Sequence, residues 1–159
     1  LTPWLRPKKL SNSKSTSIEF TTHAISWFEK EKYKLDCIIL FQPTSPFRNI
    51  ERINNVINLF IKKKTNSILS VSKYNGKQKD FFSVSNRKIK TIDSNNKIKE
   101  LYSPNGNFYL LSINKLKKDK KFFSNGSRVI KINSRIESLD IDTKEDWLLA
   151  NKFKKHLRK

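Results

Sequence analysis

Two short apolar runs on either side of one helical period constrain this chain most. The first is Cys37-Ile38-Ile39-Leu40-Phe41, and the second spans Ser67 to Ser72, with Ile68, Leu69 and Val71. The first is continuous and β-branched, so it predicts a strand buried on both faces, as in a parallel sheet, and the second reads as the next strand. Between them Ile50, Ile53, Val56, Ile57, Phe60 and Ile61 recur at the spacing of one helix face. The run Lys62-Lys63-Lys64 follows, where cations suit the negative pole of a helix dipole. Strand, helix and strand at this spacing predict a βαβ unit with a right-handed crossover. The fold class that follows is α/β, a mostly parallel sheet flanked by helices.

The other segments fit around that unit. Residues 1–14 read as a loop with two prolines. Ser15, Thr16 and Ser17 offer N-cap hydroxyls to a helix over Ile18–Tyr33, with Phe20, Ala24, Trp27 and Phe28 at helical spacing. Residues 73–102 are polar, with weak strands at Phe81–Ser85 and Lys88–Asp93, and read as a small hairpin excursion. The pair Asn105-Gly106 predicts a turn before a strand at Phe108–Ser112. A further strand is expected at Ser127–Ile132. A closing helix is expected at Thr143–Lys155, with Trp147, Leu148, Ala150 and Leu157 partly apolar. At 159 residues the chain is expected to be a single domain, 1–159.

Charge bounds the partners. Lys plus Arg number 34 against 14 Asp plus Glu, a net charge of +20. Such a balance attracts nucleotides, nucleic acid and anionic head groups. The lysines are scattered rather than massed in one arm, and a solvated surface rich in Lys, Asn and Ile accounts for them equally. A basic nucleic-acid-binding module is the competing reading, with Phe81, Phe82, Phe122 and Phe123 as stacking platforms; its binding would weaken steeply with salt. The single cysteine, Cys37, excludes a disulfide framework and is expected to be a buried structural thiol in a reducing, cytoplasmic setting. No apolar stretch reaches membrane-spanning length, so no membrane partner is expected. The chain begins with Leu1 rather than Met, so the lack of a visible signal peptide says little.

Two constellations carry chemistry. Ligands of open α/β sheets bind at the C-terminal ends of strands, where Gln42-Pro43-Thr44-Ser45-Pro46-Phe47-Arg48 follows the first strand. It offers an amide, two hydroxyls and a guanidinium on a backbone stiffened by two prolines, groups suited to a base edge, a sugar hydroxyl, a phosphate or a carboxylate. A proline-rich loop with a helix-capping residue and a surface arginine would have the same composition. The second constellation is Asp140-Ile141-Asp142. On an extended backbone these carboxylates share one side, roughly 7 Å apart at their Cα atoms. Two hard oxygen ligands completed by phosphate oxygens suit Mg²⁺. Asp142 or Thr143 could instead cap the following helix, and Thr143-Lys144-Glu145-Asp146 has the form of a loosened capping box. The two roles are compatible.

Taken together, Arg6-Pro7-Lys8-Lys9-Leu10-Ser11, the Gln42–Arg48 loop, Asn105-Gly106-Asn107-Phe108-Tyr109-Leu110, Phe122-Phe123 and Ser138 to Trp147 resemble the CMP-sialic acid synthetase (N-acylneuraminate cytidylyltransferase) family. They occur in the family's order across nearly the whole chain. The resemblance implies a nucleotide-diphospho-sugar transferase (Rossmann-like) architecture and transfer of CMP from CTP to N-acylneuraminate or a related nonulosonic acid, with release of pyrophosphate. Arg6 and Ser17 would contact the nucleotide. Gln42, Asn105 and Tyr109 would meet the sugar, and Phe122 and Phe123 would form its apolar wall. Asp140 and Asp142 would bind Mg²⁺, with Gln42 beside the reacting centre and Asp140 or a neighbour helping to deprotonate the anomeric hydroxyl. Residues 73–102 correspond to the family's dimerisation excursion, so a homodimer of the full-length protein is expected, with no specific nucleic acid partner. His23 and His156 are read as non-catalytic.

The chain also departs from the family. Family members begin with a strand and a Gly-, Ser-, Lys- and Arg-rich loop that cradles the triphosphate, and only three glycines occur here, none before Arg6. The expectation is that this stretch alone turns over little or nothing. The family often places Arg two residues before the Asn-Gly pair, on the sugar carboxylate, and Ser103 stands there; Lys73 or Lys99 could substitute. Legionaminic, pseudaminic and other nonulosonic acids therefore stay open as acceptors.

Overall fold

The computed structural model describes residues 5–74, 76, 81–90 and 100–157, with backbone alone for 155–157. A 3₁₀ turn at Lys8–Leu10 precedes α1 (Ser17–Lys30), β1 (Cys37–Leu40), α2 (Ile50–Lys62) and β2 (Ser67–Lys73). Then come β3 (Ser83–Ser85), β4 (Lys88–Lys90), β5 (Tyr102–Ser112), α3 (Ile113–Asp119), β6 (Arg128–Lys131) and α4 (Lys144–Leu157). The class is α/β, with helices flanking a six-stranded sheet of order β1-β5-β2-β6-β4-β3.

The sheet is mixed, which corrects the expectation of a mostly parallel one. β5 lies between β1 and β2 and runs antiparallel to both. β1 and β2 therefore point the same way, as the βαβ pattern requires, without being neighbours. Only β2 and β6 pair in parallel among the described strands, while β3, β4 and β6 pair antiparallel. The expected burial of the Cys37–Phe41 run on both faces is corrected too: β1 lies at the sheet edge and none of its residues is fully buried, so a continuous apolar run reports neither complete burial nor the direction of the neighbouring strand.

The faces of the sheet divide by strict alternation. Ile68, Phe108, Leu110, Ile39 and Ile130 pack with Val56, Ile53, Ile57 and Phe60 of α2. On the other face Leu111 meets Ile25 of α1 and Ile113 and Leu116 of α3. Leu69, Val71, Tyr109 and Val129 continue that face toward Phe82 and Ile89 of the β3–β4 hairpin. This hairpin is the described part of the polar 73–102 stretch, and Lys99 and the end of the expected strand at Lys88–Asp93 lie outside the described residues.

Local expectations fare unevenly. α2 matches, except that its terminal Ile50 and Ile61 are exposed. α1 buries Thr21 and Ile25 most deeply, rather than the Phe20, Ala24, Trp27 and Phe28 face, whose residues are half-buried. Thr16 caps α1 in a reciprocal box, its hydroxyl accepting from Glu19 N–H at 3.3 Å while its own N–H donates to Glu19 Oε2 at 2.7 Å. The short α3, capped by Ser112, had no sequence counterpart. Cys37 is exposed, not buried, because β1 is an edge strand with β5 as its sole described neighbour. Partial desolvation and then Asp36 push its thiol pKa up, which keeps it a poor nucleophile. Past the ends of α1, α2 and α3, Lys32, Lys64 and Lys120 adopt positive φ, the conformation that commonly closes helices and that glycine adopts most readily.

Candidate functional site

The Gln42–Arg48 loop leaves the C-terminal end of β1 and is tied to β5 where that strand bulges. β2 pairs Leu69 with Tyr109 and Val71 with Pro104, so Asn105 to Phe108 form an expanded stretch outside the regular register. The Asn105-Gly106 pair thus forms a bulge inside an eleven-residue strand, a correction to the expected turn before a strand. Gly106 has φ +73, and a Cβ there would lie 2.5 Å from Ser45 Oγ and 2.8 Å from Gln42 Oε1. Glycine is what lets the loop close onto the strand.

The closure is polar and buried. Gln42 N–H donates to Gly106 O at 3.2 Å, and Ser45 N–H donates to Gln42 O at 3.1 Å. Ser45, with no exposed surface, donates its hydroxyl to Asn105 O at 2.9 Å. Arg48 Nε donates to Asn107 O at 2.9 Å, and its Nη2 donates to Gln42 O. Asn107 Nδ2 donates to Phe47 O at 2.8 Å and to Glu137 O at 3.0 Å. Glu137 in turn pairs with Arg52 of α2 at 3.1 Å.

The second constellation docks on the same loop. Ile141 N–H donates to Thr44 O at 2.8 Å. Asp140 Oδ1 lies 3.5 Å from Ser45 Oγ; the serine's single proton is better placed on Asn105 O, so this is a close contact rather than a second strong bond. Asp142 is exposed, and its N–H donates to Asp146 Oδ2 at 3.3 Å. The capping box is also formed: Thr143 N–H donates to Asp146 Oδ2 at 3.0 Å and Asp146 N–H to Thr143 Oγ1 at 3.2 Å. Capping therefore falls to Thr143 and Asp146, while the Asp140 carboxylate lies against Ser45 of the loop.

Asn105 is 1 % exposed. Its Oδ1 accepts from Asn107 N–H at 3.2 Å, but its Nδ2 is buried without an acceptor among the described residues. Buried donors are nearly always satisfied, so this one marks hydrogen-bonding capacity that the protein does not use on itself. Tyr109, four residues along β5, packs against Phe122 and Phe123 with ring centroids 5.3 and 6.4 Å away. The two phenylalanines line a cavity of about 710 Å³ with Ile18, Phe81, Phe82, Ile89, Lys90, Lys120 and Lys121. Ser17, at the start of α1, adjoins Ile18 of that lining, while the exposed Arg6 stacks its guanidinium 4.6 Å from the Phe20 ring. The structure thus gathers Gln42, Asn105 and Asp140, and separately Tyr109, Phe122 and Phe123. No hydrogen bond joins Arg6 or Ser17 to the loop among the described residues.

No protein-family profile matches the chain. Two curated proteins do. It is 29 % identical, over 95 % of its length, to a CMP-N,N'-diacetyllegionaminic acid synthase of Legionella pneumophila, of which it spans 68 %. It is 30 % identical, over 92 % of its length, to an N-acylneuraminate cytidylyltransferase of Escherichia coli, of which it spans 35 %. The chain is thus similar to both proteins over nearly its whole length. The first is named as a CMP-sugar synthase and the second as a cytidylyltransferase.

Ser103, where the resemblance leads to the expectation of an arginine, is fully buried on β5. Lys73 is ion-paired with Glu100 at 3.2 Å. Sequence reasoning missed the structural weight of Ser45, Asn107 and Arg48. The available signal was a serine between two prolines and an asparagine on either side of a glycine. No helix among the described residues is long and apolar enough to cross a membrane.

Proposed function

We propose that this chain forms the acceptor-binding and metal-binding part of a cytidylyltransferase that transfers CMP from CTP to N-acylneuraminate or a related nonulosonic acid. One observation carries this reading: the Asp140–Ile141 segment seats on the Gln42–Arg48 loop, with Ile141 N–H on Thr44 O at 2.8 Å. That bond, with Asp140 Oδ1 3.5 Å from Ser45 Oγ, brings a carboxylate to an amide-bearing loop nearly a hundred residues away in sequence. The names of both relatives agree with this chemistry.

In the proposed reaction the sugar's anomeric oxygen forms a bond to the α-phosphorus of CTP. The bond from that phosphorus to the bridging oxygen breaks, and pyrophosphate leaves. Gln42 and the unsatisfied Asn105 Nδ2 would orient the sugar, and Tyr109, Phe122 and Phe123 would exclude water from its acyl substituent. The carboxylate of Asp140, half-buried beside Ser45, would accept the hydroxyl proton. Arg6 and Ser17 would face the nucleotide.

The donor set fits a hard divalent cation. Asp140 and Asp142 offer anionic oxygens on a partly exposed segment, and no cluster of three or more His, Cys, Asp or Glu occurs among the described residues. Water and nucleotide oxygens would complete the shell, as is usual for Mg²⁺. Bound there, Mg²⁺ would neutralise charge developing on the α-phosphate and the leaving pyrophosphate.

Two substitutions in the full-length protein test the assignment. Asp142→Asn should remove metal-dependent turnover, by on the order of 100-fold or more, while the melting temperature stays near that of the unaltered protein. Activity surviving nearly intact would return Asp142 to a purely local role. Gln42→Ala should impair sugar use more than CTP use in steady-state kinetics. Equal loss of both would remove it from the acceptor side.

A further inference from the structure

Arg48 is the cation of the Gln42–Arg48 loop, and composition alone offers it to a phosphate or a carboxylate. Its contacts point inward instead. Nε is committed to Asn107 O at 2.9 Å and Nη2 to Gln42 O, and the guanidinium carbon lies 4.9 Å from the centroid of the Phe41 ring. Burial lowers its pKa, but arginine starts high enough to remain a cation. A rigid fork whose donors already hold two main-chain carbonyls is poorly placed to take a third acceptor in solvent.

The two carbonyls belong to segments that need tying together. Gln42 begins the loop. Asn107 sits in the part of β5 that leaves the regular register with β2, so its carbonyl is held by Arg48 where a regular ladder would have used a neighbouring strand. The same bulge carries Asn105, whose Nδ2 has no acceptor among the described residues.

We propose that Arg48 is a positioning residue for the acceptor sugar: it fixes the Gln42 backbone against the Asn105–Asn107 bulge and so sets the geometry in which both side chains meet the substrate. This rests on the acceptor role proposed above for Gln42 and Asn105. It predicts a kinetic split opposite to that of a phosphate ligand, whose loss would fall on CTP.

The test uses the full-length protein with CTP, Mg²⁺ and N-acetylneuraminate, comparing it with Arg48→Ala and Arg48→Lys. A misplacement of this kind costs on the order of 100-fold in kcat/KM for the sugar. The CTP KM should stay within about twofold, since that contact is untouched. Arg48→Lys keeps the charge but not the fork, and should remain impaired. Added guanidinium ion should restore turnover to Arg48→Ala, which a general loss of folding would not allow. Hydrogen exchange at the Gln42 and Ser45 amides should quicken in both variants.

A raised CTP KM with unchanged sugar parameters would overturn the proposal in favour of a phosphate ligand. So would sugar kinetics and amide exchange that match the unaltered protein in both variants. Failure of the unaltered protein to use any nonulosonic acid would instead overturn the acceptor assignment, and the positioning role with it. Exchange at Gln42 would then report separately on whether the strut exists.

Discussion

Along β5, Phe108 and Leu110 face α2 while Tyr109 and Leu111 face the opposite layer, and all four are nearly without exposed surface. A few residues earlier Asn105 and Asn107 are just as deeply buried, yet what surrounds them is a set of directed hydrogen bonds to loop 42–48 and to Glu137. The apolar half tolerates changes of shape in proportion to the volume lost. The polar half depends on direction, and a single misplaced donor leaves its partners unsatisfied. The difference separates burial of volume, concentrated in the first region, from directed polar geometry, concentrated in the second, where the proposed binding role lies.

Three measurements would break or sharpen that contrast. Phe108→Ala should have the largest effect on folding, about 4 kcal/mol in urea denaturation. Any variant recovered folded should keep its relative preference among nonulosonic acids; a changed preference would mean that the two halves are not separable. Gly106→Ala should cost roughly 2–3 kcal/mol, since it combines positive φ with contact against Ser45 and Gln42. Its loss of sugar affinity should exceed what that destabilisation accounts for, and calorimetric titration of the folded fraction would show this. Proportionate losses would erase the distinction.

The smallest effect lies outside both halves, at the α1 cap. Glu19 is held below the ordinary glutamate range by hydrogen bonds first to the Thr16 backbone and then to its side chain. A depressed folded pKa means that the cap stabilises above the unfolded pKa and loses its effect as pH falls through the folded value. The melting difference between the native chain and Glu19→Gln should therefore shrink in acid. A gap that stays constant with pH would show that the carboxylate's charge is not what the cap uses.

Much of the framework could be read from residues in order. The β1–α2–β2 unit follows from periodicity, because helix and strand burial are local patterns. The position of β5 does not, because its insertion between β1 and β2 is decided by long-range pairing to which neither run bears witness. Its first half was further disguised: Pro104, Asn105 and Gly106 have turn chemistry, and the bulge uses that same chemistry within a strand. α3 is too short, with Ile113 and Leu116 as its buried residues, to produce a periodic signal. At the site, resemblance to a family named the residues, whereas spacing alone left the Asp140–Asp142 pair balanced between metal binding and capping. The contacts of Thr143 with Asp146 assign the cap to those two residues. The inward turn of Arg48 was not legible, since nothing in a linear sequence separates a guanidinium offered to solvent from one holding two carbonyls.

Lysines in left-handed conformation close three of the helices, at positions 32, 64 and 120. Each side chain there carries a steric penalty that a residue without a Cβ would avoid. The fold thus keeps unclaimed thermal tolerance at three exposed helix ends; Lys120 borders the Phe122–Phe123 cavity, whereas Lys32 and Lys64 do not line it, so a protein engineer could draw on those two without altering that lining.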